Sequence, residues 1–118
     1  MIEIVLKEYL ESALSYPVVL EKPEKPPREY ILIERTGDGQ TNHIRDATMA
    51  VQAYAGSLYR AAAMAEEAAE ALEDAVQVDD VCSVEINSIY NFTDRLTKEY
   101  RYQVVVDVVY YKGDVENA

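Results

Sequence analysis

The sequence has no tryptophan, one phenylalanine, one cysteine and one histidine, and only four glycines and four prolines among its 118 residues. The single cysteine, Cys82, excludes an internal disulfide and a zinc site built from cysteines, and it fits a reducing compartment. The single histidine, His43, excludes metal motifs that need two histidines from one chain. The length suits one domain with one core and is too short for two domains.

Positive charge is also scarce. Eleven Lys and Arg residues stand against 22 Asp and Glu residues, which gives a formal net charge of −11 and a pI near 4.4. Affinity for phosphate backbones and anionic surfaces comes largely from Lys and Arg, so we expect no direct binding to nucleic acid or membranes. No apolar run approaches the ~20 residues that span a bilayer. Residues 1–8 lack the basic start and apolar stretch of a signal peptide.

Hydrophobic residues make up 49% of the chain, and their spacing predicts a helix followed by a short strand. Over residues 2–15 they recur at three- and four-residue steps, which predicts an amphipathic helix that Pro17 ends. Residues 16–20 predict a short strand at a sheet edge, because its proline lacks an N–H donor. Residues 21–28 contain three prolines and predict an extended connector.

A long hairpin is predicted next. Residues 30–36 are rich in β-branched side chains and residues 47–55 alternate between apolar and polar, which predicts two paired strands. Residues 37–46 between them are dense in turn-forming residues and predict a loop that is disordered in the free protein. Loops of this length are often functional.

Ser57 predicts the N-cap of a second helix that ends near Ala75 or Val76. Small residues share one stripe of this helix: Ala61, Ala65, Ala68, Leu72 and Ala75. The same segment is strongly acidic, and we interpret its carboxylates as a solvated or partner-facing surface rather than a catalytic pair. The residues of this predicted acidic surface are Glu66, Glu67, Glu70, Glu73 and Asp74.

The rest of the chain predicts β structure. Residues 81–90 and 100–111 alternate and predict two more strands, joined by a loop over about 91–99. Residues 112–118 predict a frayed tail. The expected fold is a single α+β domain over the whole chain, of order α-β-β-β-α-β-β, with a mainly antiparallel sheet of about four strands packed against two helices.

No residue set has the pattern of a catalytic or metal site. Ser57, His43 and Asp46 supply the residue types of a hydrolase triad, but the sequence lacks a nucleophile elbow. The spacing of Asp38 and Asp46 is not that of a calcium loop. Cys82 falls on the inward side of a strand, where we expect a small buried hydrophobe. We therefore expect no enzyme activity, cofactor or metal.

Tyrosine is the abundant aromatic, with ten tyrosines against one phenylalanine. Tyrosine suits surfaces that are half buried and half wet, which is typical of subunit interfaces, although several tyrosines can also surround a small core. Val105 and Val109 fall on the outward side of the last strand, a side too apolar for simple contact with water. With the alanine stripe, these features favour an oligomer.

Three segments then carry a resemblance to a known family: EYILIERTG at 29–37, DATMAVQAYA at 46–55 and RYQVVVDV at 101–108. In this order around an alanine-rich helix, they resemble the small tail terminator (tail-completion) proteins of long-tailed bacteriophages and prophages. Arg35-Thr36-Gly37 matches the family's Arg-Thr-Gly-Gly, with Asp38 in place of the second glycine. Ala47 stands where the family often has proline, and Tyr54 where it commonly has tryptophan.

The resemblance implies a virion protein made in the host cytoplasm and placed at the head-proximal end of the tail. Such proteins form a hexameric ring that stops growth of the tail tube and then joins the head connector, without catalysis or cofactor. The implied partners are further copies of the chain, the tube protein and the connector or stopper protein. The predicted subunit or tube contacts are Arg35, Asp38, His43, Arg45, Val105 and Val109. For Arg35, an ion pair within the subunit is an equal alternative.

Two other functions remain open at this point. Another head–tail junction protein, such as a neck or stopper component, is the nearer alternative. An acidic inhibitor that mimics DNA and occupies a nucleic-acid enzyme would also explain the charge, but not the tyrosine-rich, two-faced sheet.

Overall fold

Two hydrophobic periods set the architecture, since a period near 3.6 gives helices and strict alternation gives strands. The computed structural model describes residues 1–41, 43–78 and 81–111. The elements in order are α1 (Ile2–Ala13), β1 (Val18–Val19), β2 (Tyr30–Thr41), β3 (Ile44–Ala55), α2 (Leu58–Glu73), a 3₁₀ helix (Asp74–Gln77), β4 (Val81–Asn91) and β5 (Tyr100–Tyr111). The predicted α+β fold and element order are confirmed, with five strands in the sheet rather than four. The predicted frayed tail, 112–118, lies outside the described residues.

The sheet has the strand order β1-β2-β3-β5-β4, with β1 parallel to β2 and the other pairs antiparallel. The edge strand predicted over residues 16–20 is present over Val18–Val19 only, and the carbonyl of Pro17 accepts from the N–H of Ile31 at 2.9 Å. Residues 21–28 form neither helix nor strand, as predicted. After them Glu29 accepts from Nε of Arg60 at 2.9 Å. Hydrogen bonding to Arg60 holds the pKa of Glu29 below its usual range.

Both helices cover the same face of the sheet, and the core lies between. The alanine stripe is buried as predicted: Ala61, Ala65, Ala68 and Leu72 of α2 and Ala75 of the following 3₁₀ helix are each 0% exposed. Because alanine is short, this helix can lie close to the strands beneath it. Helix α2 begins as predicted, with the side chain of Ser57 accepting from the N–H of Arg60 at 3.2 Å.

The predicted loop over residues 37–46 is wrong. Strands β2 and β3 stay paired as far as Thr41 and Ile44, so residues 37–41 and 44–46 are strand and not loop. Asn42, within the predicted loop, lies outside the described residues. Two features of the sheet explain the difference. A register shift between Arg35 and Gly37 accommodates an extra residue, and residues 44–46 also pair with the end of β5.

The predicted burial of Cys82 is also wrong, since this side chain is exposed. Val81 pairs with Tyr110 and Ser83 pairs with Val109, so Cys82 is the extra residue of a bulge between them. A bulge breaks the simple alternation of a strand and redirects a side chain. Val81, at 7% exposed, takes the inward position instead.

Candidate interaction surfaces

The face of the sheet opposite the helices, called here the helix-free face, holds Val105 and Val109. Their outward position is confirmed, because Val104, Val106 and Val108 on the same strand point into the helix-covered core at 0% exposed. Both outward valines are half-buried rather than fully exposed. The helix-free face is therefore partly apolar, in agreement with the sequence pattern.

A continuous chain of hydrogen bonds crosses the helix-free face from β5 to β3, back to β5 and then to β4. Arg101 Nη1 donates to the hydroxyl of Tyr54 at 2.9 Å, and that hydroxyl donates to Gln52 Oε1 at 2.9 Å. Gln52 Nε2 donates to Gln103 Oε1 at 2.8 Å, and Gln103 Nε2 donates to the hydroxyl of Tyr90. The two glutamines are 5% and 9% exposed, so the chain satisfies polar groups that water hardly reaches.

The ring of Tyr30 stacks on Tyr54 beside this chain, with centroids 4.6 Å apart and planes 3° apart. Tyr30 is 2% exposed, and its hydroxyl has no hydrogen-bond partner among residues 1–41, 43–78 and 81–111. Burial raises the pKa of Tyr30 to about 12, and the neighbouring Tyr54 and Glu99 act in the same direction. A buried hydroxyl in this state costs stability.

Replacing Tyr30 with phenylalanine is therefore expected to keep or raise the free energy of unfolding at pH 7, by up to about 1 kcal/mol. Above pH 10 the unfolded chain loses the Tyr30 proton while the folded chain still holds it, so this tyrosine destabilises the fold increasingly up to about pH 12. The advantage of Tyr30→Phe should widen over that range. Urea unfolding at pH 7, 9 and 11 measures it, with the 79%-exposed Tyr59 changed to phenylalanine as the control. A clear loss of stability at pH 7 would show that the hydroxyl has a partner.

The predicted contact residues of the β2–β3 hairpin lie at two places, its root and its end. Arg35 Nε donates to Glu3 Oε1 of α1 at 3.2 Å, and Arg35 Nη1 lies 3.1 Å from Asp38 Oδ2. Arg35 therefore forms ion pairs with Glu3 and Asp38 of the same chain, which is the second of the two alternatives given for it. His43 is exposed at the end of the hairpin, and Arg45 is half-buried on β3.

The predicted acidic surface lies along the side of α2 that faces away from the core. All five of its residues are exposed: Glu66, Glu67, Glu70, Glu73 and Asp74. Two of the glutamates and Asp74 also border a groove of about 360 Å³ between α1 and α2. The apolar lining of this groove, called here the interhelix groove, comes from Tyr9, Ala13, Leu14 and Ala71.

Tyr9 fixes the width of the interhelix groove. Its hydroxyl donates to the carbonyl of Ala71 at 2.7 Å and so ties α1 to α2. Burial raises the pKa of Tyr9, and the nearby carboxylate of Asp74 adds to the effect. The sequence pattern gave no signal for this groove, because it depends on how the two helices pack.

The loop between β4 and β5, called here the 92–99 loop, is held by hydrogen bonds of its own. Asp94 Oδ1 accepts from the N–H of Leu96 at 2.9 Å and of Thr97 at 3.3 Å, which lowers the pKa of Asp94. Arg101 Nε donates to the carbonyl of Phe92 at 2.7 Å, and its guanidinium lies 4.5 Å from the centre of the Phe92 ring. Leu96, between these anchors, is 96% exposed.

The residue types of a hydrolase triad do not come together. Ser57 caps α2 just beyond the end of β3, whereas His43 and Asp46 lie at the start of that strand. A strand of this length separates the two ends by roughly 30 Å. Within the described ranges, no three His, Cys, Asp or Glu side chains are grouped as metal ligands would be. No helix among these residues has the length and apolar character needed to cross a membrane.

Compared with known proteins, the chain matches no family model and no curated protein. The resemblance found in the sequence therefore bears on function as a hypothesis.

Proposed function

We propose that this chain is a structural protein of a phage or prophage tail, a tail terminator that caps the tail tube as a hexameric ring and forms the surface that joins the head. The observation that carries the proposal is apolar exposure in a small acidic domain. Tyr59 is 79% exposed and Leu96 is 96% exposed, and the partly apolar helix-free face carries no helix. A partly apolar sheet face that no helix covers is suited to association, whereas single exposed side chains such as Tyr59 and Leu96 do not mark a surface by themselves. The resemblance of the segments at 29–37, 46–55 and 101–108 supplies the family.

The proposed role needs no catalysis or cofactor and places the protein at the head-proximal end of the tail. Its partners are further copies of the chain, the tube protein and the connector or stopper protein. Residues of the hairpin end, His43 and Arg45, and the outward Val105 and Val109 are proposed to contact these partners. Arg35 and Asp38 support the hairpin root through their ion pair.

The negative charge has a role in this proposal. Six subunits of −11 each carry a formal charge of −66, and a negative channel repels DNA and keeps it from adhering as it passes. We propose accordingly that the protein has no nucleic-acid affinity of its own.

Mass in solution tests the proposal. We expect the free subunit to be largely monomeric and to form a ring when tube protein is present, because several weak contacts that engage together favour assembly. Light scattering over a range of concentrations, alone and with tube protein, measures this. A strict monomer under both conditions contradicts the proposal, and genes for tube and connector proteins beside this one would support it.

A second candidate, the DNA-mimicking inhibitor, is favoured by one observation. The exposed carboxylates of α2 follow one another along the outer side of a single helix. Such a protein would bind a basic enzyme as a monomer or dimer and would not respond to tube protein, so the same mass measurement separates it from a tail terminator. A neck or stopper component would form a ring without ending tube growth.

A further inference from the structure

Leu96 is the most exposed of the large hydrophobic side chains in the described ranges, and it stands on a fixed loop. Its 96% exposure means that no part of its own subunit covers it. The hydrogen bonds of Asp94 and Arg101 fix the loop before any partner binds, so little ordering entropy is lost on association. An exposed leucine on a rigid support can fill an apolar pocket of a partner without the cost of ordering its loop.

The charges around this leucine are positive, although the whole chain is strongly negative. Arg95 and Lys98 are exposed on either side of it. Asp94 keeps its negative charge while it accepts from backbone N–H groups, and Glu99 pairs with Lys22 at 2.6 Å, so Arg95 and Lys98 leave an excess of positive charge around the loop. The 92–99 loop therefore presents an apolar side chain within a positive rim.

The interhelix groove presents the opposite surface. Its floor is apolar, from Ala13, Leu14 and Ala71, and its border carries Glu67, Glu70 and Asp74. At about 360 Å³ the groove has room for a leucine side chain. The interhelix groove has an apolar centre with a negative rim, and the 92–99 loop has an apolar centre with a positive rim. The two surfaces are therefore complementary, which favours one orientation of docking.

We propose that the 92–99 loop of one copy docks in the interhelix groove of the next copy, with Leu96 as the anchor. The partner is a second copy because both halves of a complementary contact are present on one chain, at separate places on its surface. A contact between two different patches is heterologous, and it closes into a ring when its rotation allows. The inference rests on the proposed ring and names the contact that builds it.

Two single substitutions at exposed positions test the docking. Leu96→Asp places a charge on the loop. Ala13→Asp places a larger, charged side chain on the apolar floor of the groove, where it takes the space of the anchor and leaves a carboxylate against Leu96. Each alone is expected to weaken self-association by about tenfold or more, since each removes the anchor contact. Lys25→Asp, in the exposed connector over residues 21–28 and outside every proposed contact, is the control and should associate like the natural protein. Sedimentation velocity up to the highest soluble concentration, alone and with tube protein, gives the masses.

An equal mixture of the two variants separates this contact from any other. The loop of the Ala13→Asp copy can still dock in the groove of the Leu96→Asp copy. The resulting dimer cannot add a third copy, because its free groove and its free loop both carry the substitution. The mixture should therefore stop at dimers under conditions where the natural protein forms rings. Circular dichroism and thermal unfolding confirm that each variant is folded.

A disulfide trap gives a second measurement that does not depend on affinity. In a Cys82→Ser background, Leu96→Cys together with Ala13→Cys should give a ladder of covalent oligomers on mild oxidation. The control pair, Leu96→Cys with Lys25→Cys, should give no more covalent oligomer than the proteins that carry either cysteine alone.

The outcomes separate the docking from the function. Rings that form normally from both Asp variants, with no ladder from the trap, overturn the docking and leave the tail terminator proposal intact. Docking through this contact without any effect of tube protein overturns the tail terminator proposal and leaves the docking. A natural protein that stays monomeric under every condition overturns both.

Discussion

Replacing Leu72 with alanine is expected to lower the free energy of unfolding by about 2–5 kcal/mol, the usual cost of removing a large aliphatic group from a packed core. Leu72 is 0% exposed and belongs to the α2 stripe whose other members are alanines. Because its small neighbours offer little side chain to refill the space, the cost should fall toward the upper part of that range. Urea unfolding followed by circular dichroism measures it.

Leu96→Ala is the matched control, since it makes the same chemical change at a 96%-exposed site. Its effect on unfolding should stay within about 0.5 kcal/mol. If both substitutions cost the same, then α2 does not lie on the sheet as described. The control is also informative by itself, because the proposed docking predicts that Leu96→Ala weakens association while stability is unchanged.

Replacing residues 38–44 with a glycine bridge is expected to destabilise the monomer by about 2–4 kcal/mol, since each lost backbone hydrogen bond contributes about 1 kcal/mol. The sequence alone predicts the opposite, because it treats this segment as a loop whose removal leaves the core intact. In the structure the deletion removes strand pairs between β2 and β3, the Ile44 pair with Tyr111, and the ion pair of Asp38 with Arg35.

Thermal and urea unfolding test this second prediction, with Thr41→Ala as the control that alters an exposed side chain and keeps the ladder. A shortened protein with unchanged stability would mean that residues 37–46 are a loop after all. Where the shortened protein still folds, its mass with tube protein also tests whether the hairpin end, with His43 and Arg45, takes part in assembly.

Several features of the fold could be predicted from sequence because their causes are local. The first helix precedes Pro17 as predicted, although it ends at Ala13 and not at residue 15, and Ser57 caps the second helix through its side chain. The inward set Val104, Val106 and Val108 follows from strict alternation in a strand. The exposure of the acidic surface could also be predicted, because carboxylates on the side opposite a buried alanine stripe must face outward.

The candidate docking surfaces could not be predicted, because each depends on residues far apart in the chain. The interhelix groove exists only where Tyr9 of α1 meets Ala71 of α2. The exposure of Leu96 depends on the turn that Asp94 closes and on the contact of Arg101 with Phe92. Periodicity indicates which side of a helix or strand is apolar, but it does not indicate which loop side chains stay exposed in the folded chain.

The sequence by itself determined the α+β class, the element order and the two-sided character of each helix and strand, because these follow from local periodicity and capping. Only the tertiary structure decided that residues 37–41 and 44–46 are strand. Residues 44–46 pair with β5 and residues 37–41 pair with β3, and this pairing outweighs their turn-forming tendency. It also decided that a bulge turns Cys82 outward and that Gln52 meets Gln103. Strand register is fixed by contacts across the whole sheet, and no local pattern encodes it.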